Sequence, residues 1–312
     1  MTNIVFLDAG TVGSVQNIKL IKELGHLDIY DQTRSDQIIE RAEGKEIIIT
    51  NKVRITPEIM DKLPGLKLIC VTATGMDNID IEYAGKKGIQ VKNVAGYSTD
   101  SVAQHTFTVL LYLTGKPAYY DQYVKSGSYS QSDYFTHIGN SFRELKGKKI
   151  GIIGLGTIGR QVAKIADAFG MEVIYYSTTG NNNNKQYNRY ELDELLKSSD
   201  IVTIHAPLSG STRGLITYDK IKLMKPDAIL INMGRGGIIN EADLARALNE
   251  NLIAAAGLDV LEQEPIKADH PLLKLKDPGK IFITPHIAWT SIEARELLIR
   301  KIAENIEKFL KQ

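Results

Sequence analysis

Three side chains in the last third of the chain are of types that could carry chemistry. They are Arg235 in Asn232-Met-Gly-Arg-Gly-Gly237, Glu264 in Gly257-Leu-Asp-Val-Leu-Glu-Gln-Glu-Pro265, and His286 in Thr284-Pro-His-Ile-Ala-Trp289. Histidine is the side chain whose ordinary pKa suits proton exchange near neutrality. A carboxylate beside an imidazole favours the charged ring and fixes its orientation, a part that Glu264 could play for His286. A guanidinium is permanently charged and grips a carboxylate bidentately, with a directionality that an ammonium lacks. Arg235 could hold an anionic substrate in that way. Singly, each residue has a plain alternative: a turn arginine with a solvated head, a loop charge before proline, a structural histidine. Together, downstream of a nucleotide-binding pattern, they point to one site.

That pattern is Gly154-Leu-Gly-Thr-Ile-Gly159, set between an expected strand over 148–153 and an expected helix over 160–169 that Gly170 closes. In such a loop the first glycine allows the tight turn, the second lets backbone approach a pyrophosphate, and the third lets helix pack on strand. The N–H groups at the helix start then face the anion. A site that prefers NAD usually has an acid at the end of the next strand, bonded to the ribose 2′-OH. Ser177 stands there, in Tyr175-Tyr-Ser-Thr-Thr-Gly180. No carboxylate in this run repels a 2′-phosphate, and its hydroxyls with Lys185 could receive one. A serine also bonds an unphosphorylated ribose, so NAD is the expected cofactor and NADP stays open.

Short apolar runs alternate with helical stretches, the pattern of a parallel sheet covered by crossover helices. Strands are expected over 4–7, 47–50, 68–71, 89–92, 149–153, 172–176, 201–204, 228–232, 254–259 and 281–284. A helix over 100–114 has too many apolar positions for one exposed stripe and is expected to lie buried between domains. Residues 116–145 form a polar, tyrosine-rich excursion at the surface or at an interface. The run Asn181–Asn184 reads as a loop insert without a function of its own.

With 312 residues the chain is long enough for two domains. Its 38 basic and 37 acidic side chains leave no field that would gather nucleic acid or an anionic membrane. The amino-terminal apolar run is too short for a signal-peptide core, and nothing approaches a membrane span. One cysteine, Cys70, permits no internal disulfide and no thiolate metal cluster. A cytoplasmic, metal-free protein is expected.

The glycine loop and the three patches around Arg235, Glu264 and His286 resemble, in order, the D-isomer-specific 2-hydroxyacid dehydrogenase family. The resemblance spans nearly the whole chain, including Asn93-Val-Ala-Gly-Tyr-Ser-Thr99 and the helix bearing His105. It implies an α/β fold of two doubly wound parallel-sheet domains, a Rossmann coenzyme domain over 99–287 inserted into a flavodoxin-like substrate domain of 1–98 with 288–312. It also implies a hinge that closes on the substrate, and a homodimer. Arg235 becomes the substrate-binding arginine, His286 the proton-transferring histidine and Glu264 its acid partner, interconverting a 2-keto acid and a D-2-hydroxy acid.

The same resemblance assigns cofactor contacts to Gly154, Gly156, Thr157, Ile158 and Gly159 at the phosphates and Ser177 near the adenosine ribose. Further contacts fall to Ala206, Pro207, Thr212, Met233, and Asp259 near the nicotinamide amide. Ala73-Thr74-Gly75, after a strand, would hold the substrate carboxylate on backbone N–H groups, with Asn51 and Lys52 lining the same cleft. Thr50-Asn-Lys52, Ala73–Asn78 and His286–Trp289 look most like glycerate dehydrogenases, also called hydroxypyruvate reductases. Phosphoglycerate dehydrogenase is the nearest enzymatic alternative, although the chain stops at Gln312 without room for a regulatory extension. Outside enzymes, the alternative is an NAD(H)-binding regulator or corepressor that keeps the fold.

Overall fold

The computed structural model describes residues 2–312, which divide into two compact units: the chain up to 98 together with 289–312, and 99–288. The first unit is built on five parallel strands, β1 (Asn3–Phe6), β2 (His26–Ile29), β3 (Ile47–Thr50), β4 (Leu68–Val71) and β5 (Gln90–Lys92). Their spatial order is β2-β1-β3-β4-β5, the flavodoxin-like arrangement. Strand side chains alternate between faces, and here both faces are covered. Ile4, Phe6, Ile47, Ile49 and Leu68 pack with Leu298, Ile299, Ile302 and Ile306 of the terminal helix Ile292–Leu310. Val5, Leu7, Ile48, Ile69 and Val71 pack with Ile38, Met60 and Leu63 on the other side. Each such aliphatic side chain contributes about 1.5–3 kcal/mol by burial, so the returning helix completes one half of this core. It begins at Ser291, whose Oγ accepts from the Ala294 N–H at 3.1 Å.

The second unit has seven parallel strands: β6 (Lys149–Ile153), β7 (Glu172–Tyr176), β8 (Asn188–Arg189), β9 (Ile201–Ile204), β10 (Ile229–Asn232), β11 (Ala255–Leu258) and β12 (Ile281–Ile283). They run β12-β11-β10-β9-β6-β7-β8, so the order reverses between β6 and β9. This is the dinucleotide-binding order with one strand added. Helix Thr99–Gly115, expected between domains, has its apolar side covered from within its own unit. A Cβ on Gly257 of β11 would come 2.3 Å from Val109 Cγ1, and Phe107 stacks on Phe169 with ring centroids 5.4 Å apart.

The expected strands are present, and two were not foreseen. β2 and β8 are edge strands, with burial on at most one side, so neither carries the apolar run that marks a doubly covered strand. Between Lys116 and Leu145 the chain forms the helix Pro117–Lys125 and a single 3₁₀ turn, Tyr129–Gln131. No helix among the described residues is long and apolar enough to cross a membrane.

Asp200 stitches the entry ends of three strands in the second sheet. Its carboxylate accepts from the Lys149 N–H at 2.7 Å and from Lys225 Nζ at 2.8 Å, and its carbonyl accepts from the Ile229 N–H at 3.0 Å. Burial opposes the charge, but the Lys225 ammonium and the Lys149 N–H outweigh it and hold this carboxyl below the usual aspartate range. A depressed folded-state pKa stabilises above the unfolded value, and that stability is lost as pH falls through the folded one. Asp200→Asn is therefore expected to lower Tm at pH 7 by about 2–4 °C, the equivalent of ~1 kcal/mol. Thermal melts should also show a shallower loss of stability between about pH 5 and 3 than in the parent; parallel acid curves would refute the role.

Candidate active site

The residues singled out in the second unit lie along the carboxyl edge of its sheet. Just past β6 comes Gly154, past β7 Ser177, past β9 His205 and Ala206, past β10 Met233, past β11 Asp259 and past β12 Thr284. The ladder continues one step beyond the strands, with Met233 N–H donating to Ile204 O at 3.1 Å, Asp259 N–H to Asn232 O at 3.1 Å and Thr284 N–H to Leu258 O at 2.9 Å. Ligands of open parallel sheets bind at this edge, beside the point where strand order reverses.

The glycine loop fits a dinucleotide. Gly154 is left-handed, with φ 93°, and a Cβ there would lie 2.9 Å from Ala206 N; one on Gly159 would lie 2.3 Å from Gly154 O. Above Gly156 there is open space, and this residue caps helix Thr157–Ala168 without a side chain. The first-turn N–H groups of Thr157, Ile158 and Gly159 therefore open onto room that any side chain at 156 would fill, the geometry that seats a pyrophosphate. Thr212 closes the neighbouring loop, its hydroxyl donating to Pro207 O at 2.7 Å and accepting from the Ser209 N–H at 2.7 Å.

Ser177, expected near the adenosine ribose, is buried beneath the asparagine run. Its Oγ accepts from the Asn182 N–H at 3.2 Å, while Asn182 Nδ2 crosses to the carbonyl of Leu155 inside the glycine loop at 2.7 Å. Arg160 Nη1 reaches the same carbonyl at 3.3 Å, and Tyr175 donates its hydroxyl to Asn182 O at 2.9 Å. A segment expected as a loop insert is thus a strap tied to the glycine loop. Nothing in four successive asparagines signalled which one would make the tie.

Arg235, Glu264 and His286 stand on three loops of this one edge. Asn232 shapes the first loop, its Oδ1 accepting from the Gly234 N–H at 3.0 Å and its Nδ2 donating to Arg235 O at 2.9 Å. Gly236 then presses against the second loop: a Cβ there would fall 2.0 Å from the carbonyl of Leu261. That second loop is pinned from below by buried Glu241, which accepts from the Glu262 N–H at 2.6 Å and pairs with His270 at 2.9 Å. Glu264 accepts from the Leu261 N–H at 3.0 Å through Oε1 and from His286 Nδ1 at 2.7 Å through Oε2. With Nδ1 so engaged, Nε2 is the nitrogen of His286 left for a reacting molecule.

His286 has φ 57°, a left-handed backbone that costs a non-glycine residue roughly 1–3 kcal/mol. Asp259 holds it there. The His286 N–H donates to the Asp259 carbonyl at 2.9 Å, and the carboxylate, 2% exposed, accepts from Ile287 N–H at 2.8 Å, Ala288 N–H at 2.9 Å and the Thr284 hydroxyl at 2.6 Å. The residue expected at the nicotinamide amide has both oxygens engaged by the histidine loop.

The remaining expected residues belong to the first unit and gather at the carboxyl edge of its own sheet. Asn51 follows β3, and its N–H donates to Asp8 Oδ1 at 2.8 Å; Lys52 and Val53 donate to Asp8 Oδ2 at 2.7 and 3.2 Å. Asp8 follows β1, so this turn sits where that sheet's order reverses. Ala73, Thr74 and Gly75 follow β4, tied to the end of β5 by Thr74 Oγ1 donating to Val94 O at 3.1 Å. Sequence reasoning missed Asp8, Asn232, Glu241 and Asn182, whose work is to hold loops. Asp8 and Asn232 carried a signal, a polar residue at the end of an apolar strand; Glu241 carried none.

Comparison with known proteins settles the lineage. The family model for the NAD-binding domain of D-isomer-specific 2-hydroxyacid dehydrogenases matches residues 107–288. The hydroxypyruvate reductase of Blautia hydrogenotrophica is 39% identical over 300 residues, covering 94% of this chain and 92% of that protein. The chain belongs to the D-isomer-specific 2-hydroxyacid dehydrogenase family. It is an oxidoreductase of the CH–OH group that uses a nicotinamide dinucleotide. Among solved structures of similar fold are an acyclic imino acid reductase bound to NADPH and D-Arg (TM-score 0.88, 34% identical, covering 100% of this chain and 98% of that one). Another is the D-lactate dehydrogenase of Aquifex aeolicus with NAD and lactic acid (TM-score 0.84, 30% identical, covering 99% and 96%).

In a dehydrogenase of this build the approach of Gly236 to Leu261 sets the spacing of the arginine and glutamate loops. Gly236→Ala is expected to lower kcat/KM at least about 100-fold, the scale of an ångström's misplacement, in protein that remains folded by circular dichroism. An unchanged kcat/KM would show that the two loops need no such approach.

Proposed function

We propose that this protein reduces a small 2-keto acid, hydroxypyruvate first among them, to the corresponding D-2-hydroxy acid, D-glycerate. The His286–Glu264 pair beside the Arg235 loop carries the reading. Arg235 grips the substrate carboxylate and polarises the adjacent carbonyl. A nicotinamide dinucleotide seated at the Gly154–Gly159 loop would supply the hydride that the carbonyl carbon receives. His286 gives its Nε2 proton to the carbonyl oxygen as the C=O electron pair moves onto it, and Glu264 steadies the ring through Nδ1. The similarity to the Blautia hydroxypyruvate reductase supports the choice of substrate.

The cofactor in this reading is NAD(H), with NADP(H) also accepted. No carboxylate stands at the end of β7 to repel a 2′-phosphate, and Arg160 and Arg189 are anchored beside the strap, Arg189 by Nη1 to Gly180 O at 2.8 Å. We place the protein in the cytoplasm, where its one cysteine, buried and with its thiol pushed up to about 12, stays reduced.

Loss of reduced-nicotinamide absorbance with hydroxypyruvate, glyoxylate, pyruvate and phosphohydroxypyruvate, each with NADH and NADPH, tests the whole reading. Hydroxypyruvate is expected to lead, His286→Ala to lose at least about 100-fold in kcat while NADH affinity holds, and Ser177→Asp to impair NADPH selectively. Preference for the phosphorylated acid would make it a phosphoglycerate dehydrogenase. Tight nicotinamide binding without turnover of any acid would make it a regulator.

The homodimer has a candidate surface. Stacking of His137 on Tyr123, centroids 3.7 Å apart, and the Tyr119 hydroxyl 2.8 Å from His137 Nε2 organise the excursion, yet Tyr134, Phe135, Ile138 and Phe142 are 62–89% exposed on it. Contiguous apolar exposure of this kind marks an interface. Light scattering should give twice the chain mass, falling to one chain mass in Phe135→Asp/Ile138→Asp; a monomeric parent would end this part of the reading.

A further inference from the structure

The loop that carries His286 is gripped at both ends by one face of helix Thr99–Gly115. At the far end, Ser101 donates its hydroxyl to the Ala288 carbonyl at 2.6 Å. At the near end, His105 Nε2 lies 3.0 Å from Thr284 Oγ1. Ser101 and His105 are four residues apart and so stand one above the other on the helix. The direction of the second bond follows from proton counting. The Thr284 hydroxyl has one proton and gives it to Asp259 Oδ1 at 2.6 Å, so in its contact with His105 it accepts. The relay therefore runs from His105 Nε2–H to Thr284 Oγ1–H to the Asp259 carboxylate, which also receives the N–H groups of Ile287 and Ala288, the two residues after His286.

We propose that Ser101 and His105 form a two-point clamp that positions His286 for proton transfer, His105 acting through Thr284 and Asp259 and Ser101 through Ala288. Both are positioning residues, since they bond to the loop and act through it on His286. Burial pushes the His105 imidazole below the ordinary histidine range against the pull of the Asp259 carboxylate. The ring is then neutral with its proton on Nε2, as the relay requires. The helix is itself fixed against β11 through Val109 beside Gly257, and against the end of helix Thr157–Ala168 through Phe107 on Phe169. A left-handed histidine needs such a fixed frame, because its own N–H and those of the two residues after it are all received by Asp259, through its carbonyl and its carboxylate.

The mechanistic half of this inference rests on the keto-acid reading above, so the test pairs a kinetic with a non-kinetic readout. His105→Leu removes the donor, His105→Gln keeps an N–H near the Nε2 position, and Thr284→Val removes the hydroxyl at constant volume. In the full-length protein, His105→Leu is expected to lower kcat at least about 10-fold with KM and NADH affinity within about threefold, and Gln to recover most of the loss. The double variant His105→Leu/Thr284→Val should be no worse than either single one, as members of one relay are not additive. Hydrogen exchange of a peptide spanning 284–288 should quicken about 10-fold in His105→Leu.

A kcat within twofold of the parent, a glutamine as impaired as the leucine, or losses that multiply would overturn the clamp. Should His105→Leu fail to fold, Thr284→Val against the parent gives the same two readouts, and unchanged kcat and exchange there would overturn it equally. If the parent turns over no 2-keto acid, the reading of function fails instead, and the exchange rates alone decide the clamp.

Discussion

A carboxylate taken almost wholly out of water must have its oxygens filled with donors, or it will not remain charged and buried. Asp259 meets that demand with the Thr284 hydroxyl and the Ile287 and Ala288 N–H groups, all from the one loop that leads out of β12. The loop has to wrap around the carboxylate to supply them. In doing so it passes through a left-handed residue, and that residue is His286. The position of His286 is thus a consequence of satisfying a buried carboxylate from within the protein.

The same logic recurs on a smaller scale along both sheets. Asp8 gathers the N–H groups of Asn51, Lys52 and Val53 into a turn, and Glu241 gathers Glu262 and His270 below the loop of Glu264. Glycines do the complementary work of removing bulk. Gly154 and Gly159 let the glycine loop close on itself, and Gly236 lets the arginine loop touch the glutamate loop. Buried acids pull loops inward and glycines permit the approach, so functional groups from distant parts of the chain meet at one edge.

Much of this was legible beforehand, for reasons that differ by element. Central strands such as Ile47–Thr50 and Ile201–Ile204 are buried on both faces and read as unbroken apolar runs. The edge strands His26–Ile29 and Asn188–Arg189 meet no such demand, and their composition is that of loops. Arg235, Glu264 and His286 stood out because each lies beside a strand end within a glycine- or proline-marked patch. Asn182 did not, because a run of identical residues gives no clue to which one reaches the Leu155 carbonyl.

By itself the sequence determined the alternation of strand and helix, the glycine loop and the chemical types of Arg235, Glu264 and His286, since these depend on local periodicity and side-chain identity. Tertiary structure alone decided that His286 Nδ1 faces Glu264, that Asp259 spends its oxygens on the histidine loop, and that Ser177 lies beneath a strap. Those contacts join loops 5 to 29 residues apart along the chain, and no local periodicity sets their approach. Their geometry is set by which loops a parallel sheet brings side by side, and strand order in space is not the order along the chain.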